Sequence, residues 1–183
     1  MTTVVLLAAG RSRRFGPDCK LQAPYRGKPL VRHAAEAILG TGLPAVAVIA
    51  DPAVAGLLPE FRLVHGRGVQ SDSVRLGLRH VADEAALIVL ADMPHVTADL
   101  LQRIATSRAP AAATDGHRIC PPALLPRSLF PQVQALTGDQ GAGALLRSLP
   151  GLHRIHVKPE FLRDVDVPDD LLSSQDRLAP PRI

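Results

Sequence analysis

Val4-Val5-Leu6-Leu7-Ala8-Ala9-Gly10-Arg11-Ser12-Arg13-Arg14 begins with six uninterrupted apolar residues and stops at a glycine and a knot of cations. Six residues is strand length, and a continuous apolar run, unlike an alternating one, marks a strand covered on both faces. The same signature returns over residues 45–50 and 87–91. Helical patterns lie between these runs. One covers residues 29–39, with Pro29 at its start and Gly40 at its close. A second covers 72–81, and a third is capped by Thr97 and runs through Ile104. Buried strands alternating with helices predict an α/β domain, its mainly parallel sheet held between helical layers.

The later chain is less regular. It has a proline-rich stretch over 121–131, a glycine-rich turn over 138–143, a short helix through Leu146, a strand-like piece over 152–157 and an acidic segment over 164–170. Beyond Leu172 the composition turns polar and then proline-rich, which predicts one domain over residues 1–172 and a flexible tail over 173–183.

With 183 residues, 46% of them hydrophobic, the chain can bury one sizeable core. No apolar run approaches the roughly 20 residues that span a bilayer, so no membrane partner is expected. The first ten residues lack a basic leader and a cleavage-type segment, and Cys19 and Cys120 read as reduced thiols, which together predict a cytoplasmic protein. A net charge of +4 invites a nucleic-acid partner, but the basic residues are scattered and aromatic residues make up 3%, so that class is set aside. The local exception is Arg11, Arg13, Arg14 and Lys20, four cations in ten residues beside a glycine. That density suits a compact anion such as a triphosphate.

Ligands of parallel α/β sheets gather at the carboxyl ends of the strands, where the Leu7-to-Lys20 segment falls. Small residues there let backbone N–H groups approach phosphate oxygens, and Arg14 and Lys20 can offset charge on a leaving pyrophosphate. On composition alone a basic, solvated connection explains the segment equally well. Neither G-x-G-x-x-G nor G-x-x-x-x-G-K-[ST] fits it. Asp92-Met93-Pro94 ends the buried run 87–91, and a carboxylate at that strand end can hold Mg²⁺ between phosphates. The competing role, capping the next helix, is better filled by Thr97. Within Asp164-Val165-Asp166-Val167-Pro168-Asp169-Asp170, the last two acids suit a helix start, leaving Asp166 as a second metal ligand if the chain returns to the sheet there. Ser71 to Ser73 can cap a helix or meet a base edge, and residues 138–143 can be a turn or an acceptor loop. The seven histidines show no zinc spacing, and no G-x-S-x-G elbow is present.

Taken in order, LAAGRSRRFGPDCK from Leu7, QSDSVRLGL from Gln70, LADMPHV from Leu90, GDQGAG from Gly138 and DVDVPDDL from Asp164 resemble the MobA-like NTP transferases, above all the molybdenum cofactor cytidylyltransferases. The resemblance runs from Val4 to Leu171. It implies a three-layer α/β/α Rossmann-like nucleotidyltransferase domain that moves a nucleoside monophosphate from an NTP to a phosphorylated acceptor, molybdopterin in the first instance. Carried over residue by residue, it gives Leu7, Ala8, Ala9 and Gly10 backbone contacts to the nucleotide. Arg14 and Lys20 fall on its phosphates, Ser73 on its base or ribose, and Asp92 and Asp166 on Mg²⁺, with Mn²⁺ an alternative ion. A transient contact with a molybdoenzyme or a cofactor carrier is also implied. Guanylyl-transferring members tend to read L-A-G-G where this chain reads Leu7-Ala8-Ala9-Gly10, which favours CTP. Gly143 stands where the family often has an arginine, and Cys19 where an acidic residue is common. The alternatives are the same chemistry with GTP, a sugar phosphate, a methylerythritol phosphate or a phospholactate-type acid, or a non-catalytic cofactor-binding module.

Overall fold

The computed structural model describes residues 1–10, 15, 19–66, 70–135, 146–149 and 151–171. The opening apolar run forms β1 (Thr2–Ala8), and a small antiparallel hairpin, β2 (Pro24–Tyr25) and β3 (Lys28–Pro29), leads into α1 (Leu30–Leu39). β4 (Ala45–Ile49), α2 (Pro52–Ala55), β5 (Arg62–His65), α3 (Gln70–Leu78), β6 (Ala85–Leu90) and α4 (Ala98–Ala105) follow. The chain then forms β7 (Ala111–Thr114), β8 (Ile119–Pro126), α5 (Phe130–Gln134) and β9 (His153–His156).

Seven strands make one sheet in the order β5-β4-β1-β6-β8-β7-β9. Within it β8 alone runs antiparallel to its neighbours, so the expected mainly parallel, mixed sheet is what forms. The pleat explains the unbroken apolar runs. Val4, Leu6 and Ala8 point into a core shared with α1, α2 and α4. Val5, Leu7 and Ala9 point the other way, into a core shared with α3 and α5. Each fully buried leucine or isoleucine in these layers contributes about 1.5–3 kcal/mol of transfer free energy. The α3 layer lies so close that a Cβ on Gly77 would collide with Val5 and sit 3.1 Å from Val48 Cγ2.

Helix boundaries differ from the expected ones by one to three residues. Pro29 belongs to the hairpin and serves as the N-cap of α1. Gly40 keeps a right-handed conformation, and the left-handed turn falls on Gly42 (φ 69°). Thr97 caps α4 as expected, its Oγ1 accepting from Leu100 N at 3.3 Å. The β2–β3 turn places Arg26 (φ 47°) and Gly27 (φ 85°) in the left-handed region, the backbone of a type I′ hairpin.

The sequence reading lacked the β2–β3 hairpin, α2, β5, β7, β8 and α5. β7 is only Ala-Ala-Ala-Thr, and β8 occupies much of the stretch read as irregular because of its prolines. The register between them jumps from Ala112↔Ala123 to Ala113↔Cys120. Pro121 and Pro122 fall inside that jump, where the ladder asks for no N–H donor, which is how a strand deep in a sheet tolerates them.

Strand order fixes where a ligand can sit. From β1 the chain winds outward through β4 to β5, then crosses back to lay β6 on the other side of β1. The crevice between the carboxyl ends of β1 and β6 is therefore the switch point, the place where ligands bind in open α/β sheets. Ala91 N donates to Leu7 O at 3.1 Å, extending the β1–β6 ladder to the residue before Asp92. Among the described residues no helix is long and apolar enough to cross a membrane.

Candidate active site at the switch point

Three segments far apart in sequence meet at the end of β1 and β6. Lys20 starts a short 3₁₀ turn after the first loop, Asp92 follows β6, and Val165 and Asp166 come from the acidic segment after β9. The Lys20 ammonium donates to Asp92 Oδ2 at 2.7 Å and to Val165 O at 2.8 Å, and lies 3.5 Å from Asp166 Oδ1. Lys20 is 8% exposed, while the side chains of Asp92 and Asp166 are 23% and 36% exposed, so the cation is covered and the carboxylates face outward.

The acidic segment does return to the sheet, and it is held there through its backbone. Val165 N donates to Asp92 O at 2.9 Å while its carbonyl receives Lys20, so this one peptide is gripped from both sides. Asp170 turns back from a 3₁₀ turn over Pro168–Leu171, its Oδ2 accepting from Asp166 N at 2.9 Å and Val167 N at 3.0 Å. The helix-start reading of Asp169 and Asp170 is thus half of the account, since Asp170 also orients the backbone of Asp166. Arg118, at the tip of the β7–β8 hairpin, lies 3.7 Å from Asp164 and 3.6 Å from Asp115 and donates to Leu162 O, bracing the same segment.

Behind Asp92 the turn is wedged by an aromatic cluster that sequence reasoning missed. Tyr25 Oη and His95 Nε2 share a hydrogen bond of 3.0 Å, and His33 Nε2 meets Tyr25 O at 2.8 Å. Both imidazoles pack edge-on against the Tyr25 ring. Burial, then the nearby Arg26, Arg163 and His33 charges, push His95 below the ordinary imidazole range. Burial is also the main cause for His33, with Lys28 and Arg26 acting in the same direction against the Tyr25 hydrogen bond and Glu36. The available signal was weak: the chain's one tyrosine, and a histidine three residues after the candidate metal ligand.

Leu7 and Ala8 end β1, Ala9 is buried just beyond it, and Gly10 is exposed at the mouth of the crevice. Ser73 lies in the first turn of α3, which also begins at the carboxyl edge of the sheet, and is 6% exposed. Arg14 lies outside the described residues, as do Arg11, Arg13 and residues 138–143 with Gly143. The structure therefore brings together Lys20, Asp92 and Asp166 at the end of β1. It keeps Ser73 on the opposite helical layer at the same edge.

The donor chemistry fits a hard cation. Two carboxylates already converge on one positive charge, and hard divalent ions prefer oxygen ligands. Among the described residues no group of three His, Cys, Asp or Glu side chains could enclose an ion, so a metal held by Asp92 and Asp166 would complete its shell with other oxygens.

Residues 4–155 match the MobA-like NTP transferase domain. The chain is 32% identical over 174 residues to nicotine blue oxidoreductase of Paenarthrobacter nicotinovorans, spanning 82% of this chain and 83% of that one. It is 29% identical over 184 residues to the molybdenum cofactor guanylyltransferase of Rhodobacter capsulatus, spanning 95% of each. The crystal structure of Rv0371c from Mycobacterium tuberculosis H37Rv superposes with a TM-score of 0.80 at 24% identity, over 92% of this chain and 94% of that one. A manganese complex of Rv0371c superposes with a TM-score of 0.74 at 22% identity, over 96% and 95%.

Proposed function

The chain belongs to the MobA-like NTP transferase family, and from that membership we propose that this nucleotidyltransferase moves CMP from CTP onto the terminal phosphate of molybdopterin and releases pyrophosphate. The observation that carries this reading is the convergence of Lys20, Asp92 and Asp166 at the β1–β6 switch point. The backbone from Leu7 to Gly10 cradles the nucleotide phosphates, with Arg14 against their charge and Ser73 against the base or ribose. Asp92 and Asp166 would hold Mg²⁺ or Mn²⁺, and a solved neighbour, Rv0371c, is known as a complex with manganese. That ion, when bound, neutralises charge on the phosphates and aligns them. Asp170 and the doubly gripped Val165 peptide set the position of Asp166, and Tyr25 and His95 set that of the Asp92 turn.

A phosphate oxygen of the acceptor attacks the α-phosphorus in line, forming the new P–O bond as the bond to pyrophosphate breaks. The nucleophile is already ionised, so no general base is required, and the protein acts mainly by positioning and charge stabilisation. Leu7-Ala8-Ala9-Gly10 in place of Leu-Ala-Gly-Gly favours CTP over GTP. The catalytic domain is residues 1–172, with 173–183 as a tail, and the protein works in the cytoplasm, in transient contact with a molybdoenzyme or cofactor carrier.

The relatives bear names as different as an oxidoreductase and a guanylyltransferase, so the acceptor must be fixed by assay. Pyrophosphate release is measured with Mg²⁺ and each of the four NTPs, with and without molybdopterin-type cofactor. Release confined to CTP plus that cofactor is the expected result. Release with GTP, or with another phosphorylated acceptor, replaces that part of the reading. NTP binding with no release under any condition overturns the transfer reaction.

A further inference from the structure

Lys20 stands in an unusual position for a residue that the family resemblance assigns to phosphate. An ammonium has three N–H donors and no acceptor. Here three oxygens surround it: Asp92 Oδ2 and Val165 O within hydrogen-bond distance, and Asp166 Oδ1 at 3.5 Å. Two donors have protein oxygens at hydrogen-bond distance, Asp166 adds an ionic contact, and the side chain is almost fully covered. Two of the three oxygens belong to the carboxylates that the proposed function gives to the metal.

We infer that Lys20 is the resident counter-cation of the Asp92–Asp166 pair, competing with the divalent ion for these carboxylates, so that nucleotide phosphates must draw the ammonium away before the ion binds tightly. The inference rests on Asp92 and Asp166 being the metal ligands. Two cations cannot share both carboxylates at close range without strong mutual repulsion, since like charges a few ångströms apart in a partly covered site are poorly screened. Removing one of them must therefore strengthen the hold on the other. Phosphate oxygens offer Lys20 anionic partners in place of the two carboxylates and the neutral Val165 carbonyl, so the ammonium can leave the pair without losing its ionic contacts. Metal uptake thereby becomes linked to nucleotide binding, and half of the charge on the carboxylate pair is offset at other times. The linkage is reciprocal: whatever factor the nucleotide adds to metal affinity, the metal adds to nucleotide affinity.

The test is a Mn²⁺ titration of the full chain followed by electron paramagnetic resonance, without nucleotide. Wild type, Lys20→Met and Lys20→Gln are compared, with Asp92→Asn as the control on the metal reading and thermal unfolding as the check on folding. Lys20→Met is expected to bind Mn²⁺ at least tenfold more tightly than wild type, and Lys20→Gln to follow it. Binding no tighter in the folded variants overturns the inference. If at the same time Asp92→Asn abolishes Mn²⁺ binding, the metal reading survives alone; if Asp92→Asn binds Mn²⁺ like wild type, the metal reading fails and this inference with it. Should neither Lys20 variant fold, the wild-type ammonium is followed by ¹H–¹⁵N NMR. Its signal must move when Mg²⁺ and an α,β-methylene analogue of CTP or GTP are added together, and an unmoved signal overturns the inference.

Discussion

The two halves of the sheet are built by different rules. β5, β4, β1 and β6 are all parallel, and β4, β6 and β1 from Val4 onward are unbroken runs of Val, Ile, Leu and Ala. β8, β7 and β9 contain prolines, an alanine triplet and a His-Arg-Ile-His strand, and their order folds back on itself with a register jump. Within the first half β4, β1 and β6 are specified locally, because each carries its own burial pattern, and β5 is an edge strand laid against β4. The second is specified by its neighbours: β8 is a strand because β6 offers it an edge, and β9 because β7 does. The candidate site takes one carboxylate from each regime, Asp92 from the end of β6 and Asp166 from the segment that follows β9.

The sharpest test of that contrast is to remove the carboxylate from the locally specified half. Asp92→Asn is expected to lower the rate of pyrophosphate release more than 10²-fold in steady-state assays, with a much smaller loss of stability, since the amide keeps an oxygen acceptor for the covered Lys20 ammonium while losing the charge. If the melting temperature falls as far as the activity, Asp92 is holding the fold together and the proposed division of labour is wrong.

The second test asks whether the neighbour-specified half is a genuine part of the core. Leu87 on β6 and Leu124 on β8 face each other in the antiparallel ladder, and both are buried. Leu87→Ala and Leu124→Ala are each expected to cost about 2–3 kcal/mol by urea unfolding, with a single shared transition. A much smaller cost for Leu124→Ala would make β8, β7 and β9 a loosely attached flap.

Asp170→Ala probes the positioning of Asp166 and should be milder. Losing the two backbone hydrogen bonds is expected to lower kcat about tenfold, or roughly 1.4 kcal/mol, with the KM for NTP changed less. An equal effect on both constants would indicate collapse of the whole acidic segment.

The smallest effect is with pH. His33 and His95 sit below the ordinary imidazole range, chiefly because burial disfavours the charged ring. As pH falls through that range, the unfolded chain takes up protons before the folded one does, so the native state loses stability. The urea midpoint is expected to fall between pH 7 and pH 5.5, and His95→Gln should flatten that slope. A midpoint that rises over the same interval would contradict the assigned direction.

Legibility in the sequence followed that division in part: β5 went unread in the first half, while β9 was read in the second from the strand-like piece over 152–157. Val4 to Ala9 announces a buried strand, and Leu87 to Ala91 announces both a strand and the carboxylate at its end. Asp166 was singled out as a candidate ligand, but nothing in its local sequence states that Val165 will lie against Asp92, because that contact is a backbone hydrogen bond between residues far apart in the chain. The aromatic wedge of Tyr25, His33 and His95 was unreadable for the same reason: three unremarkable residues acquire meaning only when the β2–β3 hairpin folds over the Asp92 turn. Lys20 was read as a cation for the nucleotide phosphates, and only the fold reveals that it sits between two acids.

The Val165 peptide carries a consequence for how such a site can diversify. Its link to Asp92 and Lys20 uses the main-chain N–H and C=O, which every residue but proline possesses. Side chains around it can therefore be exchanged freely, altering the walls against which an acceptor lies, while the spacing of the two carboxylates is inherited unchanged. A lineage built this way can explore new acceptors by rewriting its pocket lining one residue at a time, with the frame that aligns the reacting phosphates left intact.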